Sequence, residues 1–295
     1  MSIFELFKKK KQTSKTSVED ITATVLPFEM NEIVINTDEN LESIPADASK
    51  IGGKPWLPLG FEWPLFIDDD EPARPLSFLC QINLSDVKQS DRDGLLPDHG
   101  MLYFFYDCEA FRWGFDPEDD GCARVFYFEN TDNFVSMDIP NDIFEEYKVP
   151  EIAVSFTTKK SYPQYEELEI HSDIDCQWED YDKALTNMGC NMGTECHKIL
   201  GYADIIQNEI LSECERVSRG LYCGDAESYQ NTPEDEEASI LKSAKDWILL
   251  LQLSTLEKDG FELMWGDCGM LYFYIRKQDL ADKRFEKAWF ALQCG

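Results

Sequence analysis

The chain has 295 residues and a mass of 34.1 kDa, and its 58 acidic side chains face only 27 basic ones, a formal charge of −31. At this length, with 43% hydrophobic and 13% aromatic residues, it can bury a sizeable core, which argues against wholesale disorder. So acidic a chain disfavours binding to phosphate backbones and anionic membranes, and favours cations or basic proteins as partners.

Residues 1–17 are expected to form a flexible basic tail with no stable membrane association. Lys8, Lys9, Lys10, Lys11 and Lys15 lie there, and residues 17–295 carry 22 bases against 57 acids, a net −35. Ser17 stands where a helix cap would, and Ile33, Val34 and Ile35 form a β-branched run. The segment SKIGGKPWLPLGFEWP at 49–64 reads as an ordered loop. Each proline holds the preceding residue extended, while Ile51, Trp56, Leu57, Leu59, Phe61 and Trp63 offer burial. Strand signals follow at FLCQINL (78–84), MLYFFYD (101–107), ARVFYFE (123–129) and EIAVSFTT (151–158). The acidic stretch 162–188 reads as helical, and HKILGYADIIQNEILSEC at 197–214 reads as helical in pieces. Beyond an acidic linker or helix start at 233–239, strands return in DWILLLQLS, FELMWGD, GMLYFYI and KAWFALQC, with a short helix in KQDLADKRF. The apolar run WILLLQL at 247–253 is far too short to span a bilayer.

One sentence of the sequence is written twice. GMLYFFY at 100–106 returns as GMLYFYI at 269–275, and each copy follows a glutamine-bearing apolar strand, Gln81 19 residues and Gln252 17 residues upstream. The matched context predicts an α+β fold of internally duplicated antiparallel β-sheet units with short helices, in a pseudo-twofold arrangement. The units are expected at about 50–158 and 197–294, joined by the acidic helical segment, in a single domain over 18–295. The repeated aromatics are read as core.

Chemistry is harder to find. No G-x-S-x-G, G-x-x-x-x-G-K-[ST], G-x-G-x-x-G or H-E-x-x-H motif occurs, which argues against the commonest hydrolases, NTPases and dehydrogenases. Ten cysteines in so long a chain, without a C-x-x-C pair, read as reduced, mostly buried thiols of a cytoplasmic protein. Cys190, Cys196 and His197 are a weak metal set, because two of the three are adjacent; no metal or other cofactor is expected. DPEDDG at 116–121 imitates the start of a calcium loop but has Tyr127 at the twelfth position, so it reads as an acidic turn. Among the three histidines, His99 and His171 read as surface or packing residues, and His197 is the best candidate base. MWGDCG at 264–269 is either a turn in which Trp265 covers the sheet or a pocket rim built from Trp265, Gly266 and Asp267.

Taken in order, SKIGGKPWLPLGFEWP, FLCQINL, LPDHGMLYFFYD, HKILGYADIIQ and DWILLLQLS…MWGDCGMLYFYI resemble the YwqG-like family of uncharacterised bacterial proteins, over about residues 45–294. The resemblance implies a duplicated α+β fold and no established catalytic residue. Positions matching its recurring motifs are Gly52, Gly53, Pro55, Pro58, Trp63 and Gln81 in the first half. In the second they are His197, Gly201, Tyr202, Gln207, Gln252, Trp265, Gly266 and Asp267. Where family members often carry acids after the second glutamine, this chain has Ser254 and Thr255. Some members resemble immunity proteins in genomic setting, which implies a protein partner. The leading expectation is thus a non-enzymatic interaction protein whose acidic surface engages a basic protein. The alternative is a small-molecule binder or enzyme with its site between the repeats, near His197, Trp265 and Asp267.

Overall fold

A computed structural model describes residues 16–38, 43–67, 72–190 and 196–295. The basic tail therefore lies outside the described residues except at Thr16 and Ser17. Ser17 does cap a helix, Val18–Val25, its hydroxyl oxygen accepting from the Asp20 amide at 3.1 Å. That helix buries Ile21 and Val25 against Tyr181, Ala184 and Leu185 of the helix Trp178–Asn187.

Ten strands make one antiparallel sheet: β1 (Met30–Asp38), β2 (Lys50–Ile51), β3 (Ser77–Asn83), β4 (Met101–Tyr106), β5 (Ala123–Phe128), β6 (Ile152–Ser161), β7 (His197–Ile199), β8 (Trp247–Leu253), β9 (Met270–Arg276) and β10 (Trp289–Gln293). Their order across the sheet is β10-β9-β8-β7-β1-β6-β2-β3-β4-β5. The two stretches that repeat in the sequence lie near opposite ends, and the central pairing of β1 with β6 makes the sheet continuous between them. Three two-stranded ribbons, 56–58 with 134–136, 65–66 with 74–75 and 256–258 with 261–263, complete the strands among the described residues. The fold is α+β, with a large antiparallel sheet and short helices.

The sheet curls. β4 and β9 are separated by seven strand spacings, about 34 Å in a flat sheet, yet the Phe104 and Phe273 rings lie 5.2 Å apart. Tyr106 likewise meets Trp265 and Phe290. The inner face is one hydrophobic core drawn from both ends. The outer face is covered differently at each end. Over β3–β5 lies the proline-rich loop, with Phe61 against Phe105, Phe126 and Phe128, and Trp63 edge-on to Phe105. Over β8–β10 lie Ile210, Leu211, Cys214 and Ala244, on or beside the helices Leu211–Ser218 and Glu234–Ala244. With both faces covered, β4 and β8 are buried along their whole length, which is why their sequences are apolar runs with little alternation.

The corner before each long hairpin is wired alike. Gln81 accepts from the Trp56 amide at 2.9 Å and donates to the carbonyls of Ala46 and Ala48. Gln252 accepts from the Asp204 amide at 2.8 Å and donates to the Cys196 carbonyl and the Asp204 carboxylate. Tyr103 and Tyr272 donate to the carbonyls of Trp56 and Asp204. Lys50, paired across to Gln81, bonds Glu151; Lys198, paired to Gln252, bonds Glu32 and Asp204. Both lysines are followed by two left-handed residues: Gly52 and Gly53 (φ 59° and 68°), and Leu200 and Gly201 (φ 59° and 75°). A Cβ on Gly201 would sit 2.7 Å from Glu32 Cβ, so Gly201→Ala is expected to lower stability by about 2 kcal/mol or more, read by urea unfolding. A variant within about 0.5 kcal/mol of the parent would show that the turn relaxes without loss.

Two expectations fail. Leu59 is not buried but 75% exposed, because it sits with Gly60 in a turn that carries its side chain out to solvent. HKIL is not the start of helical structure: His197–Ile199 is β7, held between β1 and β8, and the helix begins only at Leu211. Pairing on both edges outweighs local preference in so short a segment.

Candidate functional site

His197 and Trp265 do come together, on Ser254. The Ser254 amide donates to His197 Nδ1 at 3.1 Å, and Trp265 Nε1 donates to the Ser254 carbonyl at 2.9 Å. Burial pushes the His197 imidazole down to about 4, so it stays neutral. Trp265 is fully buried among Tyr106 and Phe111, while Gly266 and Asp267 are exposed. The indole thus seals the core behind the turn, and the Asp267 carbonyl accepts from the Gly295 amide.

The other sequence-flagged residues have structural duties too. Gln81 and Gln252 saturate the two corners described above. Trp63 donates to the Leu76 carbonyl. Gly52 and Gly53 pack against Val149, Pro150 and Glu151, with no room for a side chain. Gln207 takes the Gln293 side-chain oxygen on its amide, donates to the Cys294 carbonyl and borders a cavity of about 310 Å³ with Trp113 and Phe115. All ten cysteines are free, and six are buried. Cys190 leans on the Lys160 carbonyl and Cys196 on the Asp204 carboxylate, and residues 191–195 between them lie outside the described structure. Among the described residues no group of three or more His, Cys, Asp or Glu side chains could hold a metal. The acidic stretch at 116–121 forms a single turn, Pro117–Asp119, capped by Asp116.

A larger cavity, of about 500 Å³, opens on the helix-covered face of β8 and β9. Pro27, Phe28 and Met30 line it on one side, and Leu211, Trp247 and Leu249 on another. Gly201 and Tyr202, from the turn after β7, line it as well, so two flagged residues do reach a cavity. Tyr202 is fixed by its own hydroxyl on the Phe28 carbonyl and by Ser161 on its amide.

Three lining residues set its chemistry. Glu167 precedes and His171 ends the short helix Leu168–His171, at i and i+4 and hence on one face, while Leu168 and Ile170 anchor it in the core. Tyr274 comes from β9, two residues after Tyr272 and on the same face. The His171 ring lies 5.5 Å from both Phe28 and Tyr202. Among the described residues, four buried side-chain polar atoms have no hydrogen-bond partner: Glu167 Oε2, His171 Nε2, Tyr274 Oη and Arg216 Nε. Three of the four belong to this cavity's lining. Since a buried polar group left unpaired costs about 1–3 kcal/mol, their concentration calls for a reason.

The electrostatics follow from burial. Glu167, 1% exposed, is pushed up to about 8, first by burial and next by the charge of Glu209, while Lys198 pulls the other way. His171 is pushed down to about 4 by burial, then by the ammonium groups of Lys277 and Lys245. Burial also raises the Tyr274 hydroxyl, with Glu167 next among the causes. At neutral pH the cavity therefore presents a carboxylic acid, a neutral imidazole and a phenol within apolar walls, with the exposed Lys245 and Lys277 on its lining. Glu167 Oε2, His171 Nε2 and Tyr274 Oη are not hydrogen-bonded to one another.

Sequence reading passed over Glu167 and took His171 for a surface or packing residue. The signal was YEELEIH, an acid and a histidine four apart around two buried aliphatics in an otherwise polar stretch.

Fold and cavity together define an α+β protein on one curled antiparallel sheet, with a ligand-sized cavity under its helical cover. The chain belongs to the family described as "Domain of unknown function (DUF1963)", whose model matches residues 49–294. No curated protein matches the sequence. The cavity wall at Pro27–Met30 and the whole of β1 precede the matched segment. No helix among the described residues is long and apolar enough to cross a membrane.

Proposed function

We propose that the protein binds a small molecule in the cavity lined by Glu167, His171 and Tyr274. One observation carries this reading: three of the four unpartnered buried polar atoms belong to residues lining a single 500 Å³ space, a volume typical of ligand sites. It lies apart from the site expected around His197, Trp265 and Asp267, where His197 Nδ1 and the Trp265 indole N–H are bonded to Ser254. Native mass spectrometry of protein isolated gently from cells, beside a high-resolution crystal structure, tests it. The expected result is an extra mass, with density in this cavity, that disappears when Leu211→Trp fills the space. Ordered water alone on all three polar atoms, without extra mass, would sink the proposal.

The body's net charge of −35 supports a second reading, a basic protein partner bound at the acidic surface. Such a partner would co-purify at low salt and be lost on raising it. Isolation of the lone chain under both conditions would count against it. The like wiring of the two corners supports an internal duplication, with β1 and β6 either side of a pseudo-twofold axis and units at about 50–158 and 197–294. In that reading the helix-covered half alone keeps the site. The ordered motifs support placement with the YwqG-like proteins, and the charge and free thiols a cytoplasmic setting.

A further inference from the structure

We infer that the cavity is selective for a primary ammonium group carried on an apolar body, held by Glu167, Tyr274 and His171; this rests on the binding function proposed above. The three unpartnered atoms select the head group. Each can accept a hydrogen bond: the Glu167 carboxylate oxygen, the Tyr274 phenol oxygen, and Nε2 of a neutral His171 protonated on Nδ1. A primary ammonium has three N–H donors, one for each. An anion would add a second negative charge close to Glu209, whose field already opposes ionisation of Glu167. A hydroxyl has one donor, so it meets all three only by accepting from a protonated Glu167 and from Tyr274, without the charge pairing an ammonium gains on an ionised Glu167.

Charges around the site are otherwise committed. Asp93 accepts from the Asn31 amide at 2.7 Å, and Glu29 is bound by Lys160 and Tyr162. Lys198 is shared between Glu32 and Asp204. Glu166 adds a small negative contribution at Glu167. Lys245 and Lys277 oppose a cation, but both are exposed and screened by solvent and salt. The walls suit a cation on an apolar stem, because Phe28 and Tyr202 contribute rings whose faces carry negative potential, while the Trp247 ring already has the Arg276 guanidinium over it at 4.6 Å.

Ammonium binding needs Glu167 ionised, so it must release a proton wherever the empty protein holds Glu167 protonated. No proton release accompanies an alcohol. Calorimetric titration of the full chain with n-hexylamine, 1-hexanol and hexanoate separates these cases, since the three share one apolar stem. The amine is expected to bind at least tenfold tighter than either control, and about ninefold tighter at pH 7 than at pH 6, with a proton released to buffer. Glu167→Gln should remove at least tenfold of the amine affinity and change that of 1-hexanol far less; Tyr274→Phe, which keeps the shape, should weaken the amine several-fold. Equal binding of the amine and 1-hexanol, or amine affinity that survives in Glu167→Gln, overturns the inference. Preferred binding of hexanoate overturns it too, while leaving the cavity a binding site. Failure of all three ligands, with only water in the cavity, overturns both this inference and the function it rests on.

Discussion

Glu167→Gln is expected to stabilise the protein at pH 8 relative to pH 5, by a difference on the order of 3 kcal/mol. The sign follows from the direction of the shift. Burial raises Glu167 in the folded chain to about 8 from an ordinary 4.5, so the fold holds a proton that the unfolded chain gives up. The stability this group contributes is full below its unfolded value and drains away as pH rises towards 8. Glutamine does not titrate, so the gap between variant and parent should open across that window. His171 and His197 also titrate, but in the opposite sense: both are neutral in the fold, and their contribution is lost as pH falls from 6.5 to about 4. They act equally in parent and variant and cancel from the comparison. Urea unfolding at pH 5, 6.5 and 8 reads the gap directly. Parallel curves would mean that Glu167 is ionised or solvated in the fold, and the cavity would lose its carboxylic acid.

Lys198→Met should be the most damaging substitution outside the glycine turns, costing about 3–5 kcal/mol. Lys198 is 2% exposed and lies between Glu32 at 3.1 Å and Asp204 at 2.9 Å, both nearly buried. Burial pulls its ammonium down, yet the two carboxylates outweigh that and leave it raised. Removing the cation strands two acids without compensation, and Asp204 also takes the Gln252 amide at 2.6 Å. The control is its counterpart, Lys50→Met. Lys50 is as deeply buried, but its partner Glu151 is 38% exposed and can turn to water, so the loss there should be nearer 1–2 kcal/mol. Equal losses at the two sites would show that partner burial is not what decides the effect.

Much of the sheet was readable beforehand, and the reason is physical. Strands buried on both faces, such as Trp247–Leu253 and Met101–Tyr106, must be continuous apolar runs, and runs of that length between turn signals are hard to mistake. Gln81 and Gln252 drew notice because an amide in an apolar strand needs a reason; they turned out to saturate backbone at two corners. Shorter elements escaped. β7 has three residues, too few for any period, and Ser49-Lys50-Ile51-Gly52-Gly53 against His197-Lys198-Ile199-Leu200-Gly201 shares too few identities to stand out. The cavity escaped altogether, because its wall is gathered from segments near 28, 94, 169, 202, 247 and 275 that only the folded sheet and its cover bring together. Glu167 looked like one more acid in an acidic stretch until its burial was known.

β1 lies between β6 and β7 in the middle of the sheet, although the matched family segment starts only at residue 49. A fragment trimmed to that segment would lose the keystone, not a margin. The sheet would part into a four-stranded and a five-stranded piece, each with a freshly opened strand edge, and the ligand space would lose the wall at Pro27–Met30. Where sequence similarity begins and where the folding unit begins are different places in this chain, and dissection experiments should be cut to the second.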